Sequence, residues 1–330
     1  MHLKQRIEIL NILGQHLVSD SPTLLAAKHS AFLNNNWFTL EFTDNALQQI
    51  STQYLDQEKL TNWANDYHPH KNFSGKKIGV VMAGNIPLVG LHDLICCFIM
   101  GHACMAKLSR KDTVLMQYVI NYLEEIAPEV KQYMEVSSLL KDCDAYIATG
   151  SNNTARYFEY YFSKYPHIIR KNRTSVAVLT GKETAEELNL LSDDVHQYFG
   201  LGCRNVTKIH VPQDYDFVPL LRSFDRYSSF AEHHKYKNNY DYQLSIQLLN
   251  HKYYMTNEST LLFENDSNYS AISVLNYSFY ESGTWPKADA EVDEIQCIVS
   301  HKDTPFGQSQ SPGLSDYADG VDTMKFLENI

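Results

Sequence analysis

Between residues 77 and 181, short apolar runs alternate with amphipathic ones, and this pattern limits the chain to few folds. "KIGVVMAG" (77–84) has the texture of a buried strand closed by glycine. "ACMAKLS" (103–109), "DAYIATGS" (144–151) and "SVAVLTG" (175–181) repeat it. Between them, "IPLVGLHDLICCFIMG" predicts a helix with Pro87 near its first turn and Gly101 at its end. "DTVLMQYVINYLEEIAP" predicts an amphipathic helix with Asp112 as N-cap and Pro128 beyond its end, and "NNTARYFEYYFSKYP" a third helix. Strands that alternate with helices form a parallel sheet with helices on both faces. Ligands of such sheets bind at the carboxyl ends of the strands.

The flanking regions differ. Residues 1–73 read as mostly helical and polar, and the turn-rich "HPHKNFSGKK" (68–77) marks a boundary. "TAEELNLLSDDVHQYFG" (184–200) opens with a capping box, Thr184 and Glu187. Its Leu188, Leu191, Val195 and Phe199 fall on one stripe, and the helix is predicted to stop at Gly200. A glycine corner, "GLGC", leads from it into the strand "VTKIHVP" (206–212). Residues 213–300 carry shorter patterns and read as a second α/β lobe.

Composition excludes several classes. A chain of 330 residues that is 44% hydrophobic and 20% charged can bury a sizeable core and is globular rather than disordered. Its net charge of -11 argues against nucleic acid as the main partner. The N-terminal "MHLKQRIEILNILGQHL" lacks the continuous apolar core of a signal peptide. The most hydrophobic region, Ile78–Met100, contains Asn85, Pro87, His92 and Asp93, so a membrane span is not expected and a cytoplasmic location is. None of the six cysteines forms a C-x-x-C pair and no His/Cys cluster has zinc spacing, so no metal site is expected. Cys96, Cys97 and Cys104 lie in apolar surroundings and read as core packing.

Cys203 does not lie in a periodic apolar run. Backbone N–H groups at a tight glycine turn can stabilise a thiolate and also cradle an oxyanion on a substrate. A structural cysteine stays open on pattern alone. Asn85, at the carboxyl end of the first strand, reads either as a helix N-cap or as an amide donor aimed at a developing oxyanion. Lys107 and Ser109 follow the second strand, where a dinucleotide fold meets ribose or its phosphate, although a solvated loop explains them equally. Gly150 and Ser151 lie between strand and helix, where helix-end N–H groups suit phosphate. Arg170, Lys171 and Arg173 form the main basic cluster, either a phosphate contact or a salt-bridged edge. His233 and His234 are adjacent, so they point apart and are rejected as a metal pair.

In order, "GNIPL", "AKLS", "ATGS" and "GLGC" resemble the aldehyde dehydrogenase superfamily. More closely, "VMAGNIPLVGLHDL", "ATGSNNTARYFEYYF", "IIRKNRTSVAVLTG", "YFGLGCRNV" and "SPGLSDYADGVDTMKFL" are similar to stretches of the LuxC-type acyl-CoA reductases. The resemblance covers residues 75–212 and the C-terminal segment best. It implies an aldehyde-dehydrogenase-like α/β fold, with a Rossmann-type cofactor domain and an α/β catalytic domain. The expected division is residues 1–73 packing on the cofactor domain, 74–181 binding NAD(P), 182–304 carrying the nucleophile, and 305–330 returning. By the same resemblance, Cys203 matches the nucleophile and Asn85 the oxyanion-hole amide. Lys107 and Ser109 match adenosine-ribose contacts, and Gly150 and Ser151 the turn beneath the nicotinamide-side phosphates.

One departure bears on chemistry. Aldehyde-oxidising members keep a glutamate before the strand equivalent to "SVAVL", where this chain reads "RKNRT". The resemblance therefore implies reduction of a fatty acyl thioester, on coenzyme A or an acyl-carrier protein, to aldehyde through an acyl-cysteine. NADPH is the expected cofactor, with NADH as the other option; Lys107 and Arg110 favour the phosphate. The implied assembly is a homo-oligomer or a complex with an acyl-transferring protein, without nucleic acid or stable membrane insertion. The alternatives are an acyl thioesterase or acyltransferase using the same thiol, and a non-catalytic acyl-binding subunit.

Overall fold

The computed structural model describes residues 1–281 and 294–330. It divides into two compact units, Met1–Asn172 with Ser311–Ile330, and Arg173–Gln310.

The first unit begins with four helices, α1 (Leu3–Leu17), α2 (Pro22–Asn34), α3 (Leu40–Gln49) and α4 (Gln57–Asn65), with a π-helical turn at Ile50–Tyr54. The alternating region follows as β1 (Lys77–Val81), α5 (Leu91–Met100), β2 (Ala103–Lys107), α6 (Thr113–Ile126), β3 (Met134–Val136), β4 (Ala145–Thr149), α7 (Asn152–Phe162) and β5 (His167–Arg170). The strands form one parallel sheet in the order β3-β2-β1-β4-β5. This is the order of a dinucleotide-binding sheet without its sixth strand, and it reverses direction of build between β1 and β4. β3 and β5 escaped the sequence reading: β3 is three residues long, and β5 lies inside the basic "HIIRKNR".

α5 is apolar on nearly every side, and such a helix is buried all round. Its residues from Leu91 to Met100, His92 excepted, are buried, Cys96 and Cys97 among them. Cys104 on β2 joins them in the same core, as the packing reading expects. The C-terminal segment returns to this unit: Met324 and Leu327 enter the core, and Tyr317 accepts the Trp63 Nε1–H at 2.9 Å.

The second unit holds β6 (Thr174–Val178), α8 (Ala185–His196), β7 (Val206–Pro212), α9 (Phe217–Ser223), α10 (His234–Leu249), β8 (Met255–Thr256), β9 (Leu261–Glu264), β10 (Val274–Tyr280) and β11 (Ile295–Val299). Its sheet runs β11-β6-β7-β10-β9-β8, parallel except for the short β8. The final helix, α11 (Thr323–Glu328), belongs to the first unit. The fourth strand of the alternating run, β6, pairs with β7 and β11 rather than with the first sheet.

Three local expectations are corrected. α5 starts at Leu91, four residues beyond Pro87, because Leu88 adopts a left-handed conformation (φ 55°) that no helix can contain. Asp112 occupies the N-cap position of α6, but its carboxylate accepts the Leu88 N–H at 2.7 Å instead of capping. α8 keeps its Thr184/Glu187 capping box yet ends at His196, since Tyr198 and Phe199 are left-handed too.

Candidate active-site elements

In the first unit, Asn85, Lys107, Ser109, Gly150 and Ser151 all lie at the carboxyl edge of the sheet. Register fixes this: Val81 stands opposite Lys107 on one side and Ala148 on the other. The chain leaves β1 through Gly84 and Asn85, β2 at Lys107, and β4 through Gly150 and Ser151. Asn85 and the Gly150–Ser151 turn therefore follow the two adjacent strands at which the sheet changes direction, where doubly wound folds hold ligands.

The Asn85 turn is tightly built. A Cβ on Gly84 would come within 2.5 Å of the Ser109 side chain, so only glycine lets the strands' exits approach this closely. Below it, Asp112 Oδ2 holds the Leu88 N–H, while the buried Oδ1 has no hydrogen-bond partner. Burial pushes this carboxyl up to about 8, against the pull of the Leu88 N–H. The N-cap explanation of Asn85 is removed, because α5 is preceded by Gly90 at its cap. Asn85 is half-buried on the turn itself.

Lys107 is exposed at the end of β2. Ser109 Oγ accepts the Lys111 N–H at 3.3 Å. Ser151 is the N-cap of α7 and accepts the Thr154 N–H, while the Gly150 N–H is engaged with the Arg170 carbonyl at 3.1 Å. An anion at this end would meet the first-turn N–H groups of α7 rather than Gly150. The close Gly84 turn, the α7 end and the exposed lysine together fit a dinucleotide at this edge.

The basic cluster is structural. Arg170, 4% exposed, pairs with buried Asp93 at 2.6 Å and donates to Thr323 Oγ1 at 2.8 Å. Lys171 pairs with Glu159 at 2.9 Å, and Arg173 donates to the Ile295 carbonyl at 3.1 Å. His233 caps α10, whereas His234 faces Asn238.

In the second unit, Cys203 is half-buried on the turn before β7. Three consecutive left-handed residues, Tyr198, Phe199 and Gly200, lead into it. For the two non-glycine residues this costs about 1–2 kcal/mol each. Burial of both rings, to 4% and 3% exposure, offsets it at about 1.5–3 kcal/mol each.

The turn is locked by Asn205, whose importance the sequence reading missed. It is fully buried. Its Oδ1 accepts the Gly202 N–H at 2.8 Å, and its Nδ2 lies 3.1, 3.3 and 2.9 Å from the carbonyls of Asp194, Val195 and Gln197. Asp194 in turn accepts the N–H groups of Gly307 and Ser309, and burial pushes its carboxyl up to about 6 despite those bonds. Ser175 Oγ donates to the Cys203 carbonyl at 3.1 Å. A lone asparagine two places after a cysteine gives no periodic signal that would single it out.

His196, the nearest preceding histidine, is fully engaged. Nδ1 lies 2.8 Å from the Ser192 carbonyl and Nε2 2.8 Å from Thr260 Oγ1, and the ring stacks on Tyr227. A carbonyl only accepts, so Nδ1 carries the proton and Nε2 accepts from Thr260. Burial pushes its pKa down to about 4.

Among the described residues no group of three His, Cys, Asp or Glu is arranged to hold a metal ion. No helix among them is long and apolar enough to cross a membrane.

No family model matches the sequence, and no curated protein matches it. The fold, however, is similar to that of solved aldehyde dehydrogenases. Aldehyde dehydrogenase 21 from Physcomitrella patens, with succinate bound, aligns over 100% of this chain and 84% of its own (TM-score 0.70, 8% identity). The indole-3-acetaldehyde dehydrogenase of P. syringae, a cysteine-to-alanine mutant in complex with NAD+ and IAA, covers 90% and 70% (TM-score 0.62, 10% identity). A cysteine-to-alanine mutant of propionaldehyde dehydrogenase from a Clostridium phytofermentans fucose-utilisation microcompartment covers 86% and 73% (TM-score 0.59, 10% identity). The fold is aldehyde-dehydrogenase-like.

Proposed function

We propose that the chain is a cytoplasmic NAD(P)H-dependent reductase of fatty acyl thioesters, carried on coenzyme A or an acyl-carrier protein. One observation carries the reading: a strained turn, braced by Asn205 at Gly202 and by Ser175 at the Cys203 carbonyl, holds the half-buried Cys203 in a fold shared with aldehyde dehydrogenases. Backbone strain of this kind persists where the surrounding structure enforces it, and it clusters at working sites. Two of the similar solved structures had a cysteine replaced by alanine, one of them with NAD+ bound. That supports a thiol as the reacting group and a nicotinamide as the redox partner.

The Cys203 thiolate attacks the thioester carbonyl, the carbon–sulfur bond to the carrier breaks, and the carrier leaves as a thiolate that takes its proton from water, leaving an acyl-cysteine. Backbone N–H groups at the Cys203 turn are the donors we assign to the oxyanion formed in that step, and Asn85 is the amide that the resemblance matches to the same role. A reduced nicotinamide, when bound, would supply the hydride for the acyl carbon, and the aldehyde would leave as its bond to the Cys203 sulfur breaks and the thiolate is regenerated. Lys107, Ser109 and the Gly150–Ser151 turn orient that cofactor, and the exposed Lys107 and Arg110 favour a phosphate-bearing one. Orientation by these residues lets the reaction use position rather than a strong base.

The test is a panel of acyl-CoAs of different lengths, and an acyl-carrier protein, with NADPH or NADH, followed at nicotinamide absorbance. Without cofactor, mass spectrometry should find one acyl group on the Cys203 peptide of wild type and none on Cys203→Ser. A label on Cys143 or Cys297 instead, or no nicotinamide oxidation with any acyl donor, overturns the proposal.

A further inference from the structure

Ser175 stands where β6 loses register with both of its neighbours. Against β7 the pairing runs Ser175 with Val206 and then Val176 with Lys208. Against β11 it runs Thr174 with Ile295 and then Val176 with Ile298. Each neighbouring strand thus carries one residue more than β6 at this point. Such bulges gather beside active sites and re-aim the groups around them.

The side chain takes over the bonds that the broken ladders leave. Ser175 is fully buried. Its Oγ lies 3.1 Å from the Cys203 carbonyl oxygen, accepts the Cys297 N–H at 3.2 Å, and lies 3.0 Å from Cys297 Sγ. A hydroxyl has one proton and two lone pairs. The Cys203 carbonyl can only accept, so the proton is committed to it. The two lone pairs then take the Cys297 N–H and S–H. Burial pushes the Cys297 thiol up, which keeps that S–H in place. The hydroxyl has no alternative orientation.

We infer that Ser175 is a positioning residue for the Cys203 thiol. Its hydroxyl fixes the plane of the peptide leaving Cys203, while Asn205 Oδ1 fixes the peptide entering Gly202 at 2.8 Å. Held on both sides, the turn has one direction in which the Cys203 side chain can leave the backbone. The inference rests on the reading of Cys203 as the nucleophile, and it names a residue that acts through Cys203 without touching the substrate.

The experiment compares the full-length chain with Ser175→Ala and Ser175→Thr. Three quantities are measured: kcat and KM with an acyl-CoA, melting temperature, and the rate of Cys203 alkylation by iodoacetamide across pH, read peptide by peptide. Ser175→Ala should lower kcat about 10- to 100-fold with KM within about twofold, since small misplacements of a reacting group cost this much. Its alkylation profile should move along the pH axis, and Ser175→Thr, which keeps the hydroxyl, should restore both. A folded Ser175→Ala with wild-type kcat and a wild-type profile overturns the inference. So does a fall in melting temperature and kcat with the profile unmoved, which marks a merely structural role. If the alanine variant does not fold, Ser175→Cys, a near-isostere with a weak donor, takes its place under the same criteria. Alkylation needs neither cofactor nor acyl-CoA. Failure of wild type to form an acyl-cysteine would therefore sink the proposed function while leaving the role of Ser175 measurable.

Discussion

The Asn205 carboxamide oxygen accepts the Gly202 N–H at 2.8 Å, and so closes the turn on which Cys203 is displayed. The same side chain gathers three carbonyls from the end of α8. One buried residue thereby takes the Gly202 N–H and shares its two amide protons among three carbonyls, next to the left-handed run at Tyr198–Gly200.

Asn205→Ala should therefore lower stability by about 2–4 kcal/mol, because each buried group left unpaired costs about 1–3 kcal/mol and water reaches only some of them. Asn205→Asp should do no better: it keeps the acceptor for Gly202 but turns a carboxylate toward three carbonyls. Denaturant midpoints measure both. A midpoint unchanged in the alanine variant would show that the turn is held by something other than this side chain.

Asn85→Ala separates catalysis from scaffolding with little ambiguity, since α5 begins at Leu91 and Asn85 caps no helix. Loss of an oxyanion donor should cut turnover about 10²–10³-fold. Melting temperature reports any structural share of the side chain separately. A variant that loses about 1 kcal/mol of stability but keeps its turnover per folded molecule would remove Asn85 from the reaction.

Asp112 gives a pH dependence with a definite sign. Its carboxyl ionises near 3.8 in an unfolded chain but is pushed up to about 8 when buried. The folded state therefore binds the proton more tightly. Its stabilising contribution is complete below about pH 4, declines as pH rises, and is gone once pH passes the folded value near 8. The slope is at most about 1.4 kcal/mol per pH unit within that window. Asp112→Asn mimics the neutral acid and keeps an acceptor for the Leu88 N–H. Its advantage over wild type should grow from pH 4 to 8 and then level off. An advantage independent of pH would mean that Asp112 is already ionised in the folded protein.

These residues show what the sequence discloses and what it hides. Periodicity reports burial, so β1, β2, β4, β6 and β7, the apolar α5 and the Thr184 capping box were all legible. The carboxyl-edge placement of Asn85, Lys107 and Gly150 followed from the strand–helix alternation alone. What stayed hidden depends on tertiary partners. Asp112 looked like an N-cap because it precedes a helix, but the Leu88 N–H, 24 residues earlier, claims its carboxylate. Arg170 read equally as a phosphate contact or a salt-bridged edge, and Asp93, 77 residues away, decides for the ion pair. Asn205 and Ser175 are small polar residues whose roles arise from bulges and left-handed turns, and neither leaves a repeat in the sequence.

The fate of an acyl group on Cys203 depends on the bases around it. Hydrolysis needs a carboxylate or imidazole within hydrogen-bond reach of a water. His210 lies as near to Cys203 in sequence as His196 does, with its Nδ1 3.0 Å from Ser278 Oγ, and the two nitrogens of His196 are engaged by Ser192 and Thr260. Its pKa near 4 leaves it neutral, but its one lone pair already takes the Thr260 hydroxyl. The position at which the sequence resemblance to aldehyde-oxidising enzymes implies a glutamate reads "RKNRT", and in it Arg170 and Arg173 serve Asp93 and the Ile295 carbonyl. An acyl-cysteine should therefore persist until hydride arrives. We expect slow thioester hydrolysis without cofactor, rapid aldehyde formation with it, and poor oxidation of aldehyde to free acid. Aldehyde, oxidised cofactor and free coenzyme A should instead run back to acyl-CoA, because a thiol is then the acceptor and no water need be activated. His196→Ala should lower stability without changing the hydrolysis rate per folded molecule. Quench-flow with a radiolabelled acyl-CoA measures each branch. Brisk release of free fatty acid in the absence of cofactor, reduced by His196→Ala, would establish a water-activating base and give the thioesterase reading first place.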